Sequence, residues 1–364
     1  MCGYSSTDDE KYMRHAIELA KKGLGWTNPN PMVGAVIVKD GKIIGEGYHK
    51  KYGELHAETS ALNNCTKSPE GATIYVTLEP CCHHGKQPPC TEAIIKRVVI
   101  GSLDPNPLVS GKGIQILREH NIQVDNKLVC NRECIDMNYV FFHYIKEKLP
   151  YVIVKYAQTL DGKIATHNGL SKWITGEAAR ENVHMDRHRY SAIMVGINTV
   201  LKDDPMLNCR SKAIENPHQP VRIVCDTKLR IPYDSKLVKT AGQIPVWIVT
   251  CCNDKERISM YENAGCEIIA MEGEKIDIAQ LMIILGRRGI DSCICEGGAE
   301  LNWSVIKSGM VKRIQAYIAP KIFGGVDAPA SVAGTGFDAP DDALKLKDYT
   351  VTRLGDDILI EGEV

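Results

Sequence analysis

One short set of residues constrains this chain more than any other: His56-Ala57-Glu58, then Pro80-Cys81, then Cys90 after Pro88-Pro89. One imidazole and two thiolates are a common donor set for Zn(II), and a catalytic zinc keeps its fourth tetrahedral position for water. His56, Cys81 and Cys90 are therefore the candidate metal ligands. Glu58, two residues after the histidine, is too close in sequence to share its direction at the metal, and is placed to exchange protons with that water. It is the candidate acid–base. The other reading is a structural zinc closed by a fourth protein ligand, for which Cys82, His83 or His84 could serve. With Glu58 beside the ligand set, the catalytic reading is the expectation.

Length and charge bound the rest. At 364 residues the chain exceeds what one ordinary core fills, and a break near 147–150 predicts two domains, 1–147 and 148–364. A hydrophobic share of 44% with 24% charged residues reads as globular. A net charge of −1 argues against a broad cationic surface for nucleic acid. With no long apolar run and no secretory leader, the expectation is a cytoplasmic protein with no membrane partner. Fourteen cysteines then mean reduced thiols and metal ligands rather than a disulfide framework. Cys225, Cys293 and Cys295 lie in apolar strand-like runs and read as core, while Cys130 and Cys134 have a ligand-like spacing without a second pair nearby.

Periodicity predicts an amphipathic helix over 9–22, a hairpin over 33–47 turning at Asp40-Gly41, and a helix from His56 to Leu62. Strands follow at 73–78, 98–103 and near Val124, with helices at 91–96 and 114–120. Helix N-termini at both ligand groups suit thiolates, since unpaired amides and the helix dipole favour negative charge. Past 150 the pattern starts again, with strands at 151–156, 191–196, 221–226, 246–250, 266–271, 290–295 and 312–319. Helices at 177–189, 254–264, 277–287 and 299–308 lie between them, and a closing hairpin pairs 349–354 with 357–362. Alternation of this kind predicts two α/β domains, each a mostly parallel sheet under helices.

His-x-Glu followed by Pro-Cys and a further cysteine resembles the zinc deaminases of bases and nucleotides, though their usual second half is Pro-Cys-x-x-Cys. Here position 84 is histidine and the second thiolate returns only at Cys90. That delayed cysteine, with Asn28-Pro29-Asn30-Pro31-Met32-Val33-Gly34 before it, resembles the riboflavin-pathway pyrimidine deaminases fused to a reductase. The resemblance implies a cytidine-deaminase-like three-layer domain. It also implies hydrolytic deamination of a diaminopyrimidine ribosyl phosphate at C2, aided by zinc, which lowers the pKa of water from about 15.7 to about 7. His83 and Lys86, with His49 opposite, would meet the substrate phosphate, and Asn30 the pyrimidine edge. One departure is Thr59-Ser60, where the family pattern suggests a larger Arg-Asn pair.

The resemblance continues through the second half. Val154-Lys155-Tyr156-Ala157, Ser171-Lys172-Trp173, Val195 to Val200 and Asp203-Asp204-Pro205 are similar to the reductase half of the same family, whose fold is like dihydrofolate reductase. No complete Gly-x-Gly-x-x-Gly follows a strand. The implied cofactor is NADPH, lined by Ala157, Trp173, Thr199, Asp203 and Thr227. The run Gly298, Ala299, Glu300, Leu301, Asn302, Trp303, Ser304 would open a helix toward the pyrophosphate. Ser171, Arg187, Leu207, Arg210 and Glu296 would meet the substrate, and Lys155 and Asp203 are the candidates for proton delivery to the sugar. Lys228 and Arg230 are placed to favour the 2′-phosphate of NADPH. The resemblance also implies a homo-oligomer. Two rivals remain, a deaminase of another base fused to an unrelated reductase and a non-catalytic zinc-binding homologue. An aromatic share of 6% and the neutral charge oppose a polynucleotide substrate.

Overall fold

The computed structural model describes residues 6–81, 95–106, 110–125 and 127–364, with side chains from Asp8 onward. The chain divides into two compact units, Met1–Lys148 and Leu149–Val364. No helix among the described residues is long and apolar enough to cross a membrane.

The first unit opens with α1 (Ser6–Lys21), followed by the hairpin β1 (Gly34–Lys39) and β2 (Lys42–Tyr48), whose Asp40 and Gly41 both take positive φ, 51° and 71°. Then come α2 (Ala57–Asn63), β3 (Thr73–Val76), β4 (Arg97–Ile100), α3 (Lys112–Glu119) and β5 (Gln123–Val124). The sheet order is β2-β1-β3-β4-β5; β1 runs antiparallel to both its neighbours, while β3, β4 and β5 are parallel. Strand alternation splits the core in two. Val36 and Val38 join Met13, Ala16 and Ile17 of α1 on one face. Ala35 and Ile37 join Ala57 and Ala61 of α2 and Leu117 of α3 on the other. The result is three layers.

Two helices in this unit were not among those expected from the sequence: α4 (Asn131–Met137) and α5 (Tyr139–Glu147). Cys130 and Cys134, which have a ligand-like spacing without a second pair nearby, fall at the start of α4. Cys130 caps α4 at φ 54°, and Cys134 is fully buried in the α1-side core. Strand β4 stops at Ile100 rather than near 103. A Cβ at Gly101 would lie 2.4 Å from Cys134 Sγ and 2.8 Å from the Thr77 carbonyl, so only glycine fits beside α4 at that point. The helix expected over 91–96 falls mainly outside the described residues, and Ile95 and Lys96 are not helical.

The second unit contains β6 (Tyr151–Thr159), α6 (Glu177–Arg189), β7 (Ala192–Gly196), α7 (Ile197–Asp203), β8 (Val221–Cys225), α8 (Lys236–Lys239), β9 (Val246–Thr250) and α9 (Lys255–Asn263). It continues with β10 (Glu267–Ala270), α10 (Ile278–Arg287), β11 (Ser292–Cys295), α11 (Ala299–Lys307), β12 (Val311–Ala319), β13 (Lys347–Leu354) and β14 (Asp357–Glu363). Its nine strands run in the order β10-β9-β8-β7-β11-β6-β12-β14-β13, parallel from β10 through β12 and antiparallel for the closing hairpin. The middle strands read as unbroken apolar runs because both faces are covered. Val152, Val154, Met194, Cys293 and Cys295 pack with Leu281, Leu285 and Val305 of α10 and α11 on one face. Ala179 and Val183 of α6 cover Tyr317 and Leu359.

Two candidate active sites

In the first unit, His56 is the N-cap of α2 at φ −67° and ψ 158°, and its side chain makes no capping bond. Its Nδ1 lies 3.2 Å from Cys81 Sγ. Two ligands of one tetrahedral zinc, at about 2.0 Å for nitrogen and about 2.3 Å for sulfur, stand roughly 3.5 Å apart, so the pair fits a shared ion. Glu58 sits in the first turn of α2, 5% exposed, and lines the same cavity of about 230 Å³ as His56 and Cys81. Cys90, the third expected ligand, and His83 and Lys86 lie outside the described residues.

Asn30 and His49 also line that cavity. Both ring nitrogens of His49 are used inside the protein, Nδ1 at 3.0 Å from the Leu55 carbonyl and Nε2 at 3.3 Å from Asn30 Nδ2. Burial holds its pKa below the usual histidine value. These two contacts tie the His49 ring to Asn30 at the edge of the cavity. Sequence reasoning missed Glu79, Asp104, Asn106, Phe141 and Ile145, which line the cavity too. Glu79, 3% exposed, accepts the Gly111 and Ile114 N–H groups at 3.0 and 3.3 Å, tying the Pro80-Cys81 turn to the start of α3. Asp104-Pro105-Asn106-Pro107 repeats the Asn-Pro-Asn-Pro pattern of 28–31 and was the available signal; α5 offered none.

In the second unit, Lys155 of β6, Arg187 of α6 and Glu296 after β11 converge. Arg187 grips Glu296 with two bonds, Nε at 2.7 Å and Nη2 at 2.9 Å, and gives Nη1 to the Asn208 carbonyl at 3.2 Å. Lys155 Nζ stands 3.5 Å from Glu296 and 5.4 Å from the centre of the Tyr317 ring. Burial alone would raise the Glu296 pKa, but Arg187 and Lys155 outweigh it and hold the carboxyl down at about 2. The Arg187 guanidinium is thus committed to Glu296. Arg210 is exposed, its guanidinium bonded to Asn208. Its loop is fixed from beneath by Gln219, which clamps the Cys209 N–H and carbonyl at 2.8 and 3.0 Å, and by buried Arg222, which donates to the Met206 carbonyl. Leu207, buried at φ 51°, lies between these anchors.

Thr199, in the first turn of α7, faces Gly298, the N-cap of α11: a Cβ on that glycine would lie 3.8 Å from Thr199 Oγ1. The helix start expected over 298–304 is present, but Asn302 and Trp303 point into the protein. Asn302 donates to the Ser331 carbonyl at 2.9 Å, and Trp303 packs edge-on against Phe337. Trp173 is 65% exposed with the Arg180 guanidinium 4.5 Å from its ring centre. Ala157 and Ser171 are half-buried, and Thr227 follows β8 with its carbonyl accepting the Cys251 N–H. Asp203 ends α7, and no hydrogen bond or ion pair among the described residues joins it to Lys155 and Glu296.

Two family models match the chain: the zinc-binding region of cytidine and deoxycytidylate deaminases over 6–101, and the RibD C-terminal domain over 150–360. Fold and sites therefore define a bifunctional enzyme, a zinc-dependent hydrolytic deaminase joined to an NADPH-dependent oxidoreductase. The riboflavin biosynthesis protein RibD of Actinobacillus pleuropneumoniae is 50% identical over 98% of this chain and 96% of its own length, and that of Escherichia coli K12 is 37% identical over 97% and 98%. A diaminohydroxyphosphoribosylaminopyrimidine deaminase/5-amino-6-(5-phosphoribosylamino)uracil reductase from Thermotoga maritima superimposes with a TM-score of 0.88 at 38% identity over 99% of both chains. RibD of Acinetobacter baumannii does so at 0.88 and 36% identity, over 99% of this chain and 100% of that one. The chain belongs to the RibD family of riboflavin biosynthesis proteins.

Proposed function

We propose that the first unit deaminates 2,5-diamino-6-ribosylamino-4(3H)-pyrimidinone 5′-phosphate at C2, and that the second reduces the ribosyl group of the product to ribityl. The observation that carries the first step is the 3.2 Å approach of His56 to Cys81 with buried Glu58 in the same cavity. His56, Cys81 and Cys90 would hold zinc, which supplies Lewis-acid activation of water at neutral pH. Glu58 takes a proton from that water and hands it to the amine as the C2–N bond breaks, leaving a carbonyl and ammonia. Asn30, its amide turned by His49, meets the ring edge, and His83 and Lys86 the phosphate.

In the second unit NADPH, when bound, would supply hydride to C1′. Arg210, exposed and able to make two bonds to an anion, takes the substrate phosphate. Arg187 and Glu296 form a rigid charged floor, with Ser171 and Leu207 beside the substrate, and Lys155 or Asp203 delivers the proton as the sugar ring opens. Ala157, Trp173, Thr199, Asp203, Thr227 and the α11 start would bind the cofactor. Lys228, exposed beside Thr227, and Arg230 favour NADPH over NADH. The domain division stands at 147/148 in this reading, supported by the compact units and by the two family matches. Free thiols at all eleven cysteines given for the described residues support a cytoplasmic setting, and the net charge of −1 supports a small-molecule partner. A homo-oligomer is supported by β13, an exposed edge strand whose Tyr349 and Val351 are each 61% exposed.

The test is one assay on the purified protein given the diaminopyrimidine ribosyl phosphate: zinc content, ammonia release and NADPH oxidation. One zinc per chain, ammonia, and NADPH loss only after deamination are expected. Glu58→Gln should keep zinc and abolish ammonia release while the reductase still consumes supplied deaminated intermediate. Loss of both activities would point to misfolding instead.

A further inference from the structure

The cavity of the first unit is not built from the stretch matched to the zinc-binding deaminases alone. That match ends at residue 101, yet Phe141 and Ile145 of α5 line the cavity beside Asn30 and His56. Asn138 stands in the one-residue break between α4 and α5 and is 3% exposed. Its carbonyl accepts the Phe142 N–H at 3.0 Å, which starts α5. Its side chain reaches across 106 residues of sequence to Met32, accepting the Met32 N–H on Oδ1 and donating from Nδ2 to the Met32 carbonyl, both at 2.8 Å.

Met32 has a physical need for this clamp. Pro31 before it has no N–H, and the β1 ladder starts only at Gly34, so the buried Met32 peptide groups fall outside the sheet. A side-chain amide offers one donor and one acceptor at the spacing of a neighbouring strand, and only one orientation of the amide satisfies both bonds. The same residue therefore fixes two walls. Through Met32 it holds the Asn30-Pro31 edge, and through its own backbone it sets where Phe141 and Ile145 begin. A planar ring with apolar faces and a polar rim suits such a pair of walls, one apolar and one bearing an amide.

We propose that Asn138 is a positioning residue for the deaminase, locking the Asn30–Met32 edge to the α5 wall so that residues 131–147 determine which pyrimidine the cavity accepts. This rests on the cavity being the deamination site. The deciding experiment is steady-state ammonia release by the full-length, zinc-loaded protein. Asn138→Asp keeps the acceptor for the Met32 N–H but sets a second carboxylate oxygen against the Met32 carbonyl. KM should rise about tenfold with kcat within about twofold, while zinc content and NADPH oxidation on deaminated intermediate stay unchanged. A lower melting temperature with unchanged KM would reduce the clamp to fold support and overturn the proposal, and so would loss of zinc. If Asn138→Asp does not fold, Phe141→Leu decides: a KM raised roughly tenfold at intact zinc content supports the proposal, and an unchanged KM removes it. No ammonia from the wild-type protein would instead remove the reading of the cavity itself.

Discussion

Asp186 shows how a single buried group sets a measurable property of the fold. It lies on α6 against Gln315 and Glu361 of the sheet, and burial pushes its pKa up to about 7 despite the nearby Arg189. Among the described residues, Asp186 Oδ2 and Gln315 Oε1 are both buried without a hydrogen-bond partner. In the unfolded chain the carboxyl titrates near its ordinary value of about 4, so the fold favours the protonated form. Its contribution to stability is complete below about pH 4 and is lost as the pH rises through about 7. Asp186→Asn should therefore leave stability near pH 4 unchanged and raise it at pH 8, by up to about 4 kcal/mol for about three pKa units. Melting curves at the two pH values check this, and a pH-independent difference would count against it. Arg187 is the opposite case. Arg187→Ala leaves Glu296 as a buried charge supported by Lys155 alone, and should cost about 3–5 kcal/mol along with reductase activity. Arg210→Ala, at an exposed site, should raise the reductase KM and leave the melting temperature within about one degree.

At the scale of elements, α2 brings His56 and Glu58 to the candidate deaminase cavity because β2 lets it come close. A Cβ on Gly47 would lie 2.2 Å from the Ala61 nitrogen and 2.5 Å from the Ala57 carbonyl, and one on Gly45 would lie 2.5 Å from the Ala61 carbonyl. Gly47→Val must push α2 away, and His56 and Glu58 with it. Zinc retention and ammonia release should fall together while NADPH oxidation persists, and full zinc retention would contradict this account. Ser60, half of the Thr59-Ser60 departure, is buried in this helix, where a small side chain fits the close packing. The elements most legible in the sequence were those whose period was clear: α6 matched its expected ends, and the β1–β2 hairpin turned at Asp40-Gly41 as expected. Helices α4 and α5 were not among the expected elements: α4 is only seven residues long, and α5 buries Phe141 alone. Short α7 was hidden by its motif, since Ile197 to Val200 read as a cofactor contact rather than as a turn of helix.

For the whole molecule, the two units carry separable chemistry. Removing zinc with a chelator should abolish ammonia release and leave NADPH oxidation on the deaminated intermediate intact; joint loss would show that the metal supports both units. Light scattering tests the homo-oligomer, which a monomer at working concentration would exclude. What the sequence determined by itself was the chemistry. Residue type and spacing suffice to nominate ligands and an acid–base, because the nomination of His56, Glu58 and Cys81 rests on intrinsic donor properties. What only the tertiary structure decided was how each polar side chain is used. Arg187 binds Glu296, His49 is held between the Leu55 carbonyl and Asn30, and Asn138 holds Met32 from more than a hundred residues away. The physical reason is common to all three. A hydrogen-bonding group buried on folding must find its partner inside the protein, and which partner lies within reach is set by packing between segments that are remote in sequence.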